Sequence, residues 1–189
     1  MAASRANRSL SALCLALAML GCWHGAGAQD QGSPVTSKPA VIAPAAPAAG
    51  RSTGLPVPRF VSLDADRVHL RYGPGRDYPI SWVLARKGLP VEIIAEFDTW
   101  RKVQLHDGDS GWVHSSLLSS RRTVMIKNDI AELRRTPADD ARVVLRAEPG
   151  VIGALLDCEQ DWCRVDIQGR RGWLRRHAFW GVLPDEVLP

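Results

Sequence analysis

The chain has 189 residues, with 24 Lys and Arg against 20 Asp and Glu, a formal charge of +4. Setting aside Arg5 and Arg8 near the N-terminus leaves 22 against 20, and Asp139, Asp140, Asp157, Glu159, Asp161 and Asp166 are interspersed among the arginine pairs. That balance excludes a nucleic-acid-binding stripe and points to a mixed, solvated surface.

Arg5 and Arg8 precede an apolar run over 9–21, and Ala26-Gly27-Ala28 offers small residues at the spacing a signal peptidase accepts. Residues 1–28 therefore read as a signal peptide cleaved after Ala28. The apolar run is shorter than the roughly 20 residues a membrane span requires, so no spanning helix is expected. A second reading stands beside cleavage. Met19-Leu20-Gly21-Cys22 resembles a lipoprotein signal, with Cys22 as the lipidated residue. One acyl chain alone would give only marginal membrane binding.

Residues 29–58 are rich in Ala, Pro, Gly and Ser and contain no aromatic side chain. Such a segment cannot bury enough surface to offset its ordering entropy, so it reads as a linker, extended where prolines cluster. From Phe60 onward, short β-branched and aromatic runs are punctuated by Gly, Pro and Asp. Phe60–Leu63, Val91–Ala95 and Trp100–Leu105 read as strands, 106–111 as a hairpin loop, and Trp112-Val113 as the start of the next strand. No window shows a helical period, and closely spaced short strands argue a small barrel or sandwich.

A repeat runs through this region. Leu70-Arg71-Tyr72-Gly73-Pro74 recurs as Leu133-Arg134-Arg135-Thr136-Pro137, Trp100–Leu105 as Trp162–Ile167, and Gly111-Trp112-Val113 as Gly172-Trp173-Leu174. The offset between matching positions is nearly constant, which divides the chain into units at 59–123 and 124–189. Units of that size are marginal alone, so packing between them or a disulfide is expected to help.

Val68-His69-Leu70-Arg71-Tyr72-Gly73-Pro74-Gly75 resembles the opening of bacterial SH3-like domains, and Trp100-x-x-Val103 with Gly111-Trp112-Val113 resembles their next landmarks. The stretch from Trp112 to Thr123, and Trp180–Glu186 at the end, are similar to an exported, two-repeat subgroup of Gram-negative bacteria with no known biochemical role. The resemblance implies an all-β chain with two tandem SH3-like β-barrels, each five-stranded and partly open. The signal peptide points to a periplasmic location. Repeat two departs from the pattern at Arg135-Thr136-Pro137, so its long loop is expected to differ in shape, and any site built on that loop to be lost or changed.

Four cysteines are present, and Cys14 and Cys22 belong to the N-terminal segment. Cys158 and Cys163 remain, and an even pair in an exported chain reads as a disulfide. Aligning the repeats sets Cys158 against Glu96 and Cys163 against Arg101, on the two arms of a hairpin, so an ion pair is expected in repeat one where repeat two carries the disulfide. The C-x₄-C spacing, with no second Cys/His pair, is not that of a redox or zinc site.

Tryptophans in so small a fold commonly fill cores. SH3-like domains, however, keep an aromatic groove beside the long first loop. The resemblance places Trp100 and Trp112 along that groove, with Tyr72 or Tyr78 supplied by the loop. Core and groove remain alternative places for Trp100. No catalytic motif is present, and Asp107 and Asp109 lack the further ligands of a calcium loop, so they read as turn residues. The expectation is a non-enzymatic binding module without cofactor or metal, whose partner is peptidoglycan or its stem peptides. The alternative is a scaffolding subunit that binds a periplasmic protein.

Overall fold

The computed structural model describes residues 48–188. The expected signal peptide, Cys22 and the linker up to residue 47 lie outside them. Repeat one comprises β3 (Arg59–Leu63), β4 (Val68–Arg71), β5 (Ile80–Leu84), β6 (Pro90–Phe97), β7 (Trp100–Gln104), β8 (Ser110–His114) and β9 (Leu118–Ser119), preceded by β1 (Ala48–Ala49) and β2 (Pro56–Val57). Repeat two comprises β10 (Thr123–Ile126), β11 (Ala131–Arg134), β12 (Val143–Ala147), β13 (Ile152–Glu159), β14 (Trp162–Ile167), β15 (Arg170–Arg175) and β16 (Phe179–Trp180).

The two repeats fold alike. Each forms an antiparallel seven-stranded sheet, in the order β5-β4-β8-β7-β6-β3-β9 for the first and β12-β11-β15-β14-β13-β10-β16 for the second. The outer strands do not pair with one another, so neither sheet closes into a barrel. Register irregularities recur at matching places, between Ile93/Ala95 and Leu155/Asp157 and between Leu70/Arg71 and Leu133/Arg134. Such bulges bend a sheet, and here they curl each one around its own core.

Alternation along the strands sorts the side chains between two faces. The inward faces supply Leu63, Val68, Leu70, Val91, Ile93, Val103 and Val113 in repeat one, and Val124, Ile126, Leu133, Leu155, Val165, Ile167 and Leu174 in repeat two. Aliphatic residues, not tryptophans, fill both cores. Among the described tryptophans only Trp162 is buried, while Trp82 stands 57% exposed on edge strand β5. Tryptophan-filled cores are ruled out because the Gly-Trp landmark points its tryptophan outward. A Cβ at Gly111 would sit 2.9 Å from the Arg71 carbonyl oxygen, and one at Gly172 would sit 2.8 Å from that of Arg134. Glycine is required there because β8 and β15 run tight against β4 and β11 on the core side, which leaves Trp112 and Trp173 on the opposite face.

Residues 48–57 are not linker. β1 pairs antiparallel with β2, and the loop between them closes onto Glu96. Composition could not show this, because the hairpin's loop is held by hydrogen bonds to a distant carboxylate, and Val57 packs against the repeat-one core.

Candidate functional site

A surface cavity of about 340 Å³ opens on repeat one, lined by His69, Arg71, Arg76, Trp100, His114, Ser116 and Leu117. The sheet register builds it. Trp100 on β7 is the direct partner of His114 on β8, Lys102 is the partner of Trp112, and Arg71 on β4 faces Trp112 from the other side. These residues therefore share the outward face, while Arg101, Val103 and Val113 point to the core. The Trp100 indole is half-buried, and the His114 ring stands edge-on to it at 5.4 Å. His114 is oriented by its Nδ1, which lies 2.7 Å from the Ser116 hydroxyl.

The long loop after β4 completes the rim. Arg71 donates a hydrogen bond to the Tyr78 carbonyl oxygen at 2.6 Å, the Tyr72 N–H donates to that of Pro79 at 3.1 Å, and the Gly75 N–H donates to that of Gly73 at 3.0 Å. The four aromatic residues expected along one groove are thus not gathered together. Trp100 lines the cavity, Trp112 lies on the same face beyond His114, and Tyr72 and Tyr78 do not line it. Tyr72 projects into solvent, 72% exposed, and the Tyr78 ring lies against Gly73, where any Cβ would collide with it.

Repeat two overturns the expectation of a differently shaped loop. Arg134 donates to the Ala141 carbonyl oxygen at 2.7 Å, the Arg135 N–H donates to that of Arg142 at 3.0 Å, and the Ala138 N–H donates to that of Thr136 at 2.8 Å. These are the same three bonds, made at the aligned positions. Gly73 is needed for room beneath Tyr78. With Ala141 in place of that tyrosine, Thr136 fits without changing the backbone.

What does change is the groove. Trp162, the counterpart of Trp100, is only 8% exposed. The Arg175 guanidinium, at the position of His114, stacks over it at 4.4 Å, a cation–π contact. Asp139, at the loop position of Arg76, pairs with Arg175. That bond to Arg175 holds the Asp139 carboxyl below its ordinary range. Glu132, at the position of His69, pairs with Arg134 at 2.6 Å. Repeat two therefore fills its groove with its own side chains, and repeat one leaves the equivalent groove open. This latch joins a loop residue to a strand far along the chain, and no local motif signals it.

The disulfide joins Cys158 to Cys163, register partners on β13 and β14 with Cα atoms 4.0 Å apart, nearer than the usual range of roughly 4.4–6.8 Å. At the matching place in repeat one, Glu96 and Arg101 are register partners with Arg101 Nε 3.5 Å from the carboxylate. Both pairs of the alignment are therefore present as expected. Asp107 accepts a hydrogen bond from the Asp109 N–H at 3.1 Å, an Asx-type turn.

The family model of the bacterial SH3 domain matches residues 64–120 and 127–181, once per repeat. The chain belongs to the bacterial SH3 domain family. Among curated proteins, a putative N-acetylmuramoyl-L-alanine amidase, YrvJ of Bacillus subtilis (strain 168), is 26% identical over 123 residues, covering 59% of this chain and 24% of that protein. This bacterial SH3 chain thus spans about a quarter of that relative's length. Among solved structures, NlpC2 from Trichomonas vaginalis matches 67% of this chain and 49% of its own at 14% identity and a TM-score of 0.32. An NlpC/P60 family protein from Bacillus cereus matches 69% and 58%, at 15% identity and a TM-score of 0.30. Among the described residues, no helix is long and apolar enough to cross a membrane, and no group of three or more His, Cys, Asp or Glu could hold a metal ion.

Proposed function

We propose that the protein is an exported, non-enzymatic binding module of the bacterial cell envelope that engages peptidoglycan or its stem peptides through the groove of repeat one. One observation carries this reading: Trp100 is held half-buried and open to solvent in a rimmed cavity, whereas its counterpart Trp162 is covered by Arg175. A rigid aromatic face with donors around it suits a sugar face or a peptide stem. Export rests on the N-terminal segment as read from sequence, which would deliver the module to the periplasm, by cleavage after Ala28 or with a lipid on Cys22. The similarity to a putative wall amidase supports the wall as target, and the matched stretch is long enough to take in most of the two repeats.

The test is co-sedimentation of residues 29–189 with insoluble peptidoglycan, at low salt and at about 0.15 M, where exposed charges are screened beyond roughly 8 Å. Retention that survives the higher salt and is lost in Trp100→Ala is the expected result. Retention abolished by salt equally in both proteins would be nonspecific adsorption and would defeat the reading.

A second reading, docking of a periplasmic partner protein, is favoured by the unpaired edge strand β5. It carries Ile80, Trp82 and Val83, all exposed to solvent. A partner strand added along that edge would cover them.

A further inference from the structure

We infer that the group read by the repeat-one groove is a carboxylate, held by Arg71 and Arg76 beside the Trp100 ring. The inference rests on the groove being a binding site, as proposed above, and is drawn from the way repeat two neutralises the same place.

Two arginines stand at each groove. In repeat two they are Arg134 and Arg175, and each has an internal carboxylate: Glu132 on Arg134 at 2.6 Å, and Asp139 on Arg175. In repeat one the acid positions are replaced. His69 stands where Glu132 does, and Arg76 where Asp139 does. The two arginines here are Arg71 and Arg76, with His114 in place of the groove-filling Arg175. No carboxylate lines the repeat-one cavity. Arg71 spends one nitrogen on the Tyr78 carbonyl oxygen. Among the described residues, neither Arg71 nor Arg76 has an acidic partner, while Arg134 and Arg175 both do.

Repeat two thus carries a built-in example of what this scaffold binds when the groove is full: a carboxylate bonded to a guanidinium against the face of the landmark tryptophan. Repeat one presents the cations without the anion. A guanidinium fork matches a carboxylate geometrically, and a partly dehydrated rim strengthens the bond. His114 adds a donor at Nε2, since its Nδ1 is already engaged with Ser116. The ligand class is a carboxylate-bearing peptide or sugar acid with an apolar face for Trp100.

The experiment follows the Trp100 indole N–H resonance of the folded protein, assigned by its loss in Trp100→Phe, during titration with N-acetyl-alanyl-glutamate. A parallel titration uses the same dipeptide with both carboxylates amidated. The acid should shift the resonance saturably and the diamide should not. Arg76→Ala, a change in an exposed loop, should weaken the acid at least about tenfold, the loss expected for one charge-assisted pair. Arg76→Asp combined with His114→Arg copies the repeat-two latch and should abolish the shift while leaving the fold intact by circular dichroism. Equal shifts from acid and diamide, no shift from either, or an undiminished response in Arg76→Ala would overturn the inference. Peptidoglycan sedimentation reports separately: failure there with a retained acid shift removes the wall as target and keeps the carboxylate chemistry, and the converse removes only the chemistry.

Discussion

Glu96 lies near the end of β6 with its side chain closed off from water, and four hydrogen-bond donors and a second arginine converge on it. Arg59 pairs with it at 2.6 Å and Arg101 at 3.5 Å, the Thr53 hydroxyl donates at 2.8 Å, and the Thr53 and Ser52 N–H groups donate at 2.9 and 3.1 Å. Burial alone pushes its carboxyl upward, but the hydrogen bonds from Arg59, Thr53 and Ser52 outweigh burial and lower it to about 2. A carboxyl lowered in the folded state stabilises the fold above its unfolded value near 4.5, and that stability is lost as pH falls toward 2. Urea unfolding should therefore show a steep loss for the wild type across this interval and a shallower one for Glu96→Gln. At neutral pH the substitution should cost about 3 kcal/mol, because it removes the countercharge from buried Arg101 and partly buried Arg59. Parallel pH profiles for the two proteins would show that the cluster contributes nothing. The Glu96–Arg101 pairing was legible from the repeat alignment alone. The capture of Ser52 and Thr53 was not, since nothing in an Ala/Pro/Gly stretch signals a carboxylate several strands further along the chain.

At the scale of elements, the β6–β7 and β13–β14 hairpins share register, bulge and turn but are closed by different chemistry. An ion cluster closes the first and a disulfide the second. The bond encloses only a short loop, so the entropy removed from the unfolded chain corresponds to about 2 kcal/mol. Cys158→Ser with Cys163→Ser should lower stability by that amount. Hydrogen exchange should locate the effect, with faster exchange across 152–167 and no change across 90–104. Equal acceleration in both hairpins would mean the disulfide acts on the whole fold rather than on its own element. Several strands and the repeat were readable from alternation and landmark spacing. The long loop of repeat two was misread, because the Gly73-to-Thr136 exchange looks like a backbone change until Tyr78 and Ala141 are seen above those positions.

Across the whole molecule, the repeats meet through side chains at their junction and C-terminus. The Thr123 hydroxyl donates to the Gly88 carbonyl oxygen at 2.7 Å, and Phe60 meets Trp180 edge-to-face at 5.0 Å. Arg122 approaches the Phe60 ring at 6.0 Å, donates to the Gly181 carbonyl oxygen at 2.9 Å and pairs with Glu186. Burial would raise the Glu186 carboxyl, but Arg122, with smaller help from the Leu183 N–H and Arg176, keeps it lowered. Arg122→Ala should cost about 2 kcal/mol through lost charge-assisted bonds, and should split one calorimetric transition into two as the repeats uncouple. A single transition at the wild-type temperature would show that the junction does not depend on Arg122. The positions that set the resemblance apart, Arg121-Arg122-Thr123 and Trp180–Glu186, are largely those that make this junction. The sequence alone determined the all-β class, the repeat and its offset, and the cysteine pairing, because alternation and fixed offsets are local and periodic signals. Only the tertiary structure decided that one groove is open and the other latched, that the last residues of the supposed linker are folded, and that the two sheets lock together. Each of those outcomes depends on side chains far apart in sequence meeting across the fold, where charge partners and ring packing are settled by distance rather than by pattern.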